Sequence, residues 1–571
     1  MPFSLANTAP CGRKGEAAMS TIGVYKDNAG FSSIKSQART TIETAFYGNN
    51  AVPVNDLKEA YELARRSPGT VELTGMPVYR PAEQGLPDGC NALLMNDGAV
   101  VGRCAAARKI VGEPGVSMAE LAPILREAVY GTRFRTLYSA EAYIGLDKDF
   151  IVKARLLVPK NHENLVYNWM LNFQYQSEEY RLMYGESRPY PDGDILVFAD
   201  PDWTSAEYPL GLAFFDPLHN CAAVLGMRYF GELKKGTLTL AWGIAARNGF
   251  ASCHGGLKRY NLKDGRSFVS AVFGLSGSGK STLTHARHGG KFDITVLHDD
   301  AFIIDVKRKF AIALEPSYFD KMQDYPMGCE DNKFIISMQN CGAVRGEDGR
   351  LYPVTEDLRN GNGRAIKSKL WSPARTDRID EPINGVFWLM KDRSLPPVLR
   401  LKTPNLAAVM GATLATKRTS AERLAPGVDP NALVIECYAN PFRTYPLALD
   451  YERFKSLFED GVDCYILNTG DFMGKKVTPG DTLGILEAIV ERRARFVPFG
   501  PFSDMDTMEL AGFYPDFSDE GYQKELTARF RDRLAFIKSR DTEKGGMDRL
   551  PPEAASALEK ILAEAGSQKK G

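Results

Sequence analysis

The 571-residue chain has no apolar run approaching the roughly 18 residues of a membrane span, so hydropathy offers no spanning helix. Its nine cysteines include no CxxC pair. That argues against a disulfide framework or a cysteine zinc site and for free thiols in a reducing compartment. An excess of one charge is also missing: 71 Lys and Arg balance 71 Asp and Glu, leaving no global field for nucleic acid or an anionic membrane. The opening stretch MPFSLANTAPCGRKGEAAMS lacks the basic-then-apolar order of a secretory signal. No internal repeat is evident. The expectation is a cytoplasmic monomer or small homo-oligomer that works on small molecules.

What is present is an ordinary globular composition, 44% hydrophobic and 25% charged, in a chain too long for one core. Residues 1–40, rich in Gly, Ser, Ala and Lys, read as a flexible segment. Asn55–Arg66 and residues 117–129 have helical apolar spacing, the second with Ser117 and Glu120 at capping-box positions. Runs at 150–158 and 194–200 predict strands bounded by Pro and Gly clusters. A second block begins near residue 250, with apolar runs at 267–275, 293–300, 385–391 and 463–470 and an amphipathic helix over 482–496. Strands and helices without strict alternation give a mixed α/β (α+β) fold class. The expected division is an N-terminal domain over 41–249 and a C-terminal domain over 250–571.

GLSGSGKS (274–281) matches GxxxxGK[ST] between an expected strand and an expected helix. Gly274, Gly277 and Gly279, with Ser278 among them, would let backbone N–H groups turn inward around phosphates. The helix N-terminus beyond Ser281 and Thr282 adds positive potential. Lys280 is expected at the outer phosphates, and the Ser281 hydroxyl on the Mg²⁺ of a nucleoside triphosphate. Asp299 and Asp300 end the next apolar run, where a nucleotide enzyme holds metal; the plain alternative is a turn with two solvated acids.

Upstream lie GMRYFGELKKG (226–236) and ASCHGG (251–256), with Lys235 and His254 nineteen residues apart. Together with GLSGSGKST, this order resembles the ATP-dependent phosphoenolpyruvate carboxykinase family. The resemblance implies a two-domain carboxykinase-like fold with a P-loop C-terminal domain, and ATP-dependent decarboxylation and phosphorylation of oxaloacetate. It implies Tyr229 as a substrate contact, Ser276 near the substrate, and Lys235, His254 and Asp300 as ligands of a catalytic Mn²⁺. DGAVVGRCAAARKIV (97–111) resembles TGxxTGRSPKDKxxV and implies Arg103 as the carboxylate-binding arginine; Arg80, in TGMPVYR, competes for that role. LEPSYFDK (314–321) resembles FEGGCYAK and implies Lys321 near the phosphates. NGRAIKSKL (362–370) implies Arg364 as the arginine bridging substrate and γ-phosphate. LNTGDFMGKKVTPGDT (467–482) implies Lys476 and Thr482 on the nucleoside side.

The resemblance spans roughly residues 90–500 and has departures. The family's RSPKDK becomes Arg103 followed by CAAAR, with Arg108 standing in for one lysine. GDDEHGW becomes HDDAFII, NTGW becomes NTGD ending at Asp471, and CSANV is missing after His254. These changes lie around the expected site rather than in it. They leave open a kinase on the same scaffold that phosphorylates another small acid or a protein hydroxyl, and more remotely a non-catalytic nucleotide sensor.

Overall fold

The computed structural model describes residues 36–96, 102–275, 277–356, 362–417, 427 and 433–567. Three sheets organise it. An eight-stranded mixed sheet is built from strands between Ala51 and Leu225, its central strands Leu137–Asp147, Phe150–Pro159 and Ile195–Asp200. An eleven-stranded sheet runs from Phe250–Asn261 to Phe502–Met508. A five-stranded sheet joins Thr70–Pro77 and Asn91–Met95 to Tyr318–Lys321, Ile335–Gln339 and Arg364–Lys367, so early and late segments share one ladder. The mixed α/β class expected from the sequence is the class observed.

In the eleven-stranded sheet, Ser267–Phe273, Gly385–Met390 and Asp463–Asn468 run parallel and adjacent. Parallel strands need both faces covered, and these three are apolar along almost their whole length, as that requires. The helix Phe230–Arg247 is buried on nearly every face, unlike a surface helix with one apolar stripe. Its apolar residues join a core cluster that also takes in both large sheets' strands.

Two local expectations are corrected. Ser117 precedes the helix Met118–Gly131, but its side chain makes no capping bond, so the predicted box is not formed. The amphipathic helix expected over 482–496 occupies Pro479–Val490. It stops because Arg492 turns left-handed (φ 57°), and the N–H groups of Arg493 and Ala494 both bond back to Ala488 O. Its start is a capping box between Thr478 and Asp481. Residues 36–40, within the stretch read as flexible, include the start of the helix Gln37–Phe46; residues 1–35 lie outside the described residues. Among the described residues, the eight cysteines are all free, and no helix is long and apolar enough to cross a membrane.

Candidate active site

Backbone pairing brings the centre together. The strand Phe250–Asn261 runs antiparallel to Ala301–Asp305 with His254 opposite Ala301, and Gly255 N–H donates to Asp300 O at 3.0 Å. That register sets the His254 ring beside the Asp300 carboxylate, Nε2 to Oδ1 3.0 Å. The turn presenting Asp300 is held by His298. Its Nδ1 accepts from the N–H groups of Asp300 (3.1 Å) and Ala301 (3.3 Å), while Nε2 faces Ser317 O at 3.1 Å. Burial pushes His298 down to about 3, so it stays neutral in this role.

The helix Phe230–Arg247 delivers two lysines to the same carboxylate. Lys235 Nζ lies 2.8 Å from each Asp300 oxygen, and Lys234 Nζ lies 2.7 Å from Oδ2. Lys234 also meets Glu315 at 3.0 Å, both side chains being fully buried, and Asn172 donates to the other Glu315 oxygen at 2.6 Å.

The 274–281 loop enters from the strand Ser267–Phe273. Gly277 (φ 79°) and Gly279 (φ 95°) adopt left-handed conformations that side chains resist. The helix Lys280–His285 then packs on the strand Phe250–Asn261. A Cβ at Gly256 would fall 1.9 Å from Thr284 Oγ1, so this close approach requires glycine in CHGG. Lys280 Nζ thereby comes within 3.5 Å of both Asp300 Oδ1 and His254 Nε2. Ser278 Oγ is buried with no hydrogen-bond partner among the described residues.

These groups line one cavity of about 610 Å³. Its wall includes Arg103, Tyr229, Lys235, His254, Gly277, Gly279, Lys280, Ser281, Thr282, Asp299, Asp300, Lys321 and Arg364. Arg103 stacks its guanidinium 4.7 Å from the centre of the Phe442 ring. Lys321 and Arg364 face each other across an antiparallel pair, and Arg364 Nε donates to Asn362 Oδ1 at 2.9 Å. Burial, then the Arg364 charge, lowers the Lys321 ammonium below its ordinary range. Arg80 pairs instead with its neighbour Glu83 and does not line the cavity. Arg108 is turned inward onto Glu232 (3.6 Å) and Thr239 (2.9 Å).

Two expected nucleotide residues are not brought to this cavity. Lys476 is exposed on a short hairpin opposite Asp471, and the buried Thr482 hydroxyl donates to Thr478 O of its own helix at 3.3 Å. Gly274 carries the loop past Leu389, and Ser276 lies outside the described residues.

The electrostatics fit a cation. Burial, then the charges of Lys280 and Lys235, hold His254 down to about 3, so the ring is neutral and can donate from one nitrogen only. Nδ1 is 2.5 Å from Ala439 O and must be the donor there. Nε2 is then a lone pair aimed at Asp300 Oδ1 at 3.0 Å, two acceptors face to face that the Lys280 ammonium, 3.5 Å from both, shares here and that a metal ion could share in its place. Burial takes Lys235 down to about 8 against the pull of Asp300, bringing its neutral, ligating form within reach. Asp300 itself, despite burial, is held well below the carboxylate range by Lys234, Lys235 and Lys280. Among the described residues no group of three His, Cys, Asp or Glu gathers. A metal here would draw on Lys235, His254 and Asp300, with the exposed Ser281 hydroxyl on the same wall.

Lys234 and Glu315 are the residues that motif reading passed over. The signal was there: the Lys-Lys doublet in GELKKG, and the Glu shared by LEPSYFDK and FEGGCYAK.

Comparison with known proteins finds the following similarities. The family model of phosphoenolpyruvate carboxykinase matches residues 89–312. The phosphoenolpyruvate carboxykinase (ATP) of Aeropyrum pernix is 29% identical over 347 residues, covering 56% of this chain and 67% of that protein. The Dictyostelium discoideum protein of the same name is 23% identical over 483 residues, covering 76% and 78%. With its motifs in that family's order, the chain is similar to the ATP-dependent phosphoenolpyruvate carboxykinases, the family model covering residues 89–312.

Proposed function

We propose that the chain is an ATP-dependent phosphoenolpyruvate carboxykinase, converting oxaloacetate and ATP to phosphoenolpyruvate, CO₂ and ADP. The observation that carries this reading is the convergence of Lys235, His254 and Lys280 on Asp300, in one cavity with Arg103, Tyr229, Lys321 and Arg364.

Arg103, backed by Phe442, and Tyr229 bind and orient the carboxylates of the acid. The bond to the departing carboxylate breaks, CO₂ leaves, and the electron pair remains as an enolate. Lys280, Lys321 and Arg364 surround the γ-phosphate and hold it in line; the planar fork of Arg364 can touch phosphate and acid together. The enolate oxygen bonds phosphorus, the bond to the β-phosphate oxygen breaks, and ADP keeps that electron pair. Lys235, His254 and Asp300 would hold a divalent metal, read as Mn²⁺, that would supply Lewis-acid chemistry, and the Ser281 hydroxyl would hold the Mg²⁺ of the nucleotide. Residues 41–249 and 250–571 would form two domains facing across the cleft, bridged by the ladder that joins strands 70–77 and 91–95 to strands 318–321, 335–339 and 364–367, and their closure would exclude water.

One observation favours a second reading. Where FEGGCYAK has Ala, this chain has Asp320 on the cavity wall, paired with the buried Lys367 at 2.6 Å and accepting from Tyr325 at 2.8 Å. An altered wall suits a different acid as phosphoryl acceptor. Incubation with oxaloacetate, ATP and Mn²⁺ separates the two. Phosphoenolpyruvate and CO₂ in equal amounts support the carboxykinase; ATP turnover without phosphoenolpyruvate moves the assignment to the kinase.

A further inference from the structure

The turn 437–443 forms a wall of the cleft that no motif announced. Tyr438 (φ 52°) and Ala439 (φ 53°) are consecutive non-glycine residues in the left-handed region. Such strain persists only where the surroundings over-determine it. Tyr438 donates its hydroxyl to Ala408 O at 2.9 Å, and Phe442 N–H donates to Asn440 Oδ1 at 3.1 Å. The strongest tie is Arg443, which donates to Tyr445 O at 2.6 Å and pairs with Asp548. The Arg443 and Asp548 side chains are only 9% and 4% exposed.

Asp548 belongs to the connection between the helices Glu520–Ser539 and Pro552–Ser567. This connection is a strap with Lys544, Gly545 and Gly546 all left-handed. Lys544 Nζ reaches Glu113 at 2.6 Å. Glu113 sits in the turn directly after the strand Arg108–Ile110, on the stretch that carries Arg103. The strap therefore grips both walls of the acid-binding end, although it lies far outside residues 89–312.

What the turn holds is the centre itself. Ala439 O receives the Nδ1 proton of His254, which decides that Nε2 faces Asp300. The Phe442 ring centre lies 4.7 Å from the Arg103 guanidinium, 4.9 Å from Lys235 Nζ and 5.5 Å from the His254 ring. A shift of this turn would release the histidine tautomer and the seat of both cations at once. We propose that Asp548 is a positioning residue for the cleft: through Arg443 it fixes the turn that sets the His254 tautomer and seats Arg103 and Lys235 on Phe442. It touches no reacting atom and acts only through these neighbours, as outer partners orient metal-binding groups elsewhere.

The test uses the full chain, as Asp548→Asn and the milder Arg443→Lys, with His254→Gln to assign the His254 signals. Long-range nitrogen–proton spectra of the histidines, in EDTA, should show a single Nδ1–H tautomer for His254 in the parent. In Asp548→Asn the tautomers should mix. Mn²⁺ affinity, read from free Mn²⁺ by electron paramagnetic resonance, should fall about tenfold in Asp548→Asn and by less in Arg443→Lys. A lowered urea midpoint with unchanged tautomer and unchanged Mn²⁺ affinity overturns the proposal, because Asp548 would then be structural only. If Asp548→Asn does not fold, Arg443→Lys takes its place: mixed tautomers and weaker Mn²⁺ binding support the proposal, and no change in either overturns it. The proposal rests on the metal reading above, and the failures differ: no Mn²⁺ binding by the parent sinks that reading, while equal binding by parent and variants sinks this one.

Discussion

Replacing Asp300 by Asn should destabilise the metal-free protein in a way that fades with rising pH. The carboxylate faces Lys234, Lys235 and His254 within 3.0 Å and Lys280 at 3.5 Å. Removing one partner of a buried ion pair costs about 3–5 kcal/mol, because the other charge stays buried and unpaired. Two features reduce that figure. Lys234 keeps Glu315 at 3.0 Å. Lys235, already down to about 8 through burial, loses the group that was holding it up and can shed its proton. Each further unit that Lys235 falls costs about 1.4 kcal/mol where both parent and variant would otherwise be protonated, and nothing above pH 8 or so. A depressed lysine favours the folded state at high pH and loses that contribution as pH falls through its folded value, so the variant's deficit is largest at acid and neutral pH. We expect about 3 kcal/mol at pH 7, smaller by more than about 1 kcal/mol at pH 9. Urea unfolding in EDTA at both pH values measures it. A loss under about 1 kcal/mol at pH 7, or one that does not change with pH, would refute the coupling described here.

Three further outcomes are expected. Asp450 is fully buried, its Oδ2 has no hydrogen-bond partner among the described residues, and burial raises its carboxyl to about 7 against Arg443 and Arg453. A raised carboxyl favours folding below its unfolded value near 4 and loses that contribution as pH climbs to 7, so Asp450→Asn should gain on the parent by up to about 4 kcal/mol between pH 4 and 8 in urea titrations. Gly256→Ala would place a methyl 1.9 Å from Thr284 Oγ1 and should lower stability by about 1–3 kcal/mol and weaken ATP binding in calorimetry. Arg364→Lys keeps the charge but not the fork, and should cut kcat for phosphoenolpyruvate formation at least about a hundredfold while the ATP dissociation constant moves only a few-fold.

Much of the molecule was legible because some signals are local. The strands at 150–158 and 194–200 and the helix over 55–66 follow from apolar period and flanking turns, and each formed within a residue or two. GLSGSGKS announced a loop whose glycines need positive φ, and Gly277 and Gly279 have it. The helix over 482–496 was misjudged because apolar spacing continues past Val490, whereas the backbone bonds that end it depend on Arg492 turning left-handed. The Ser117 cap failed for a related reason: residue type and spacing allow a capping bond, but the side-chain rotamer decides whether it forms.

By itself the sequence determined the chemistry on offer: a glycine loop with Lys280, the Lys235 and His254 spacing, and the carboxylate pair Asp299 and Asp300. These depend on residue identity and short-range order, which a chain carries whether or not it is folded. Only the tertiary structure decided how they are used. Strand register placed His254 on Asp300, and a helix buried on nearly every face gave Lys234 a structural carboxylate while Lys235 faced the cleft. The turn at Ala439, held by Arg443 and Asp548 more than a hundred residues later in the chain, chose which histidine nitrogen points at the cavity. Pairings between residues so far apart in sequence leave no periodic trace, because they are selected by packing and charge in three dimensions rather than by neighbours along the chain.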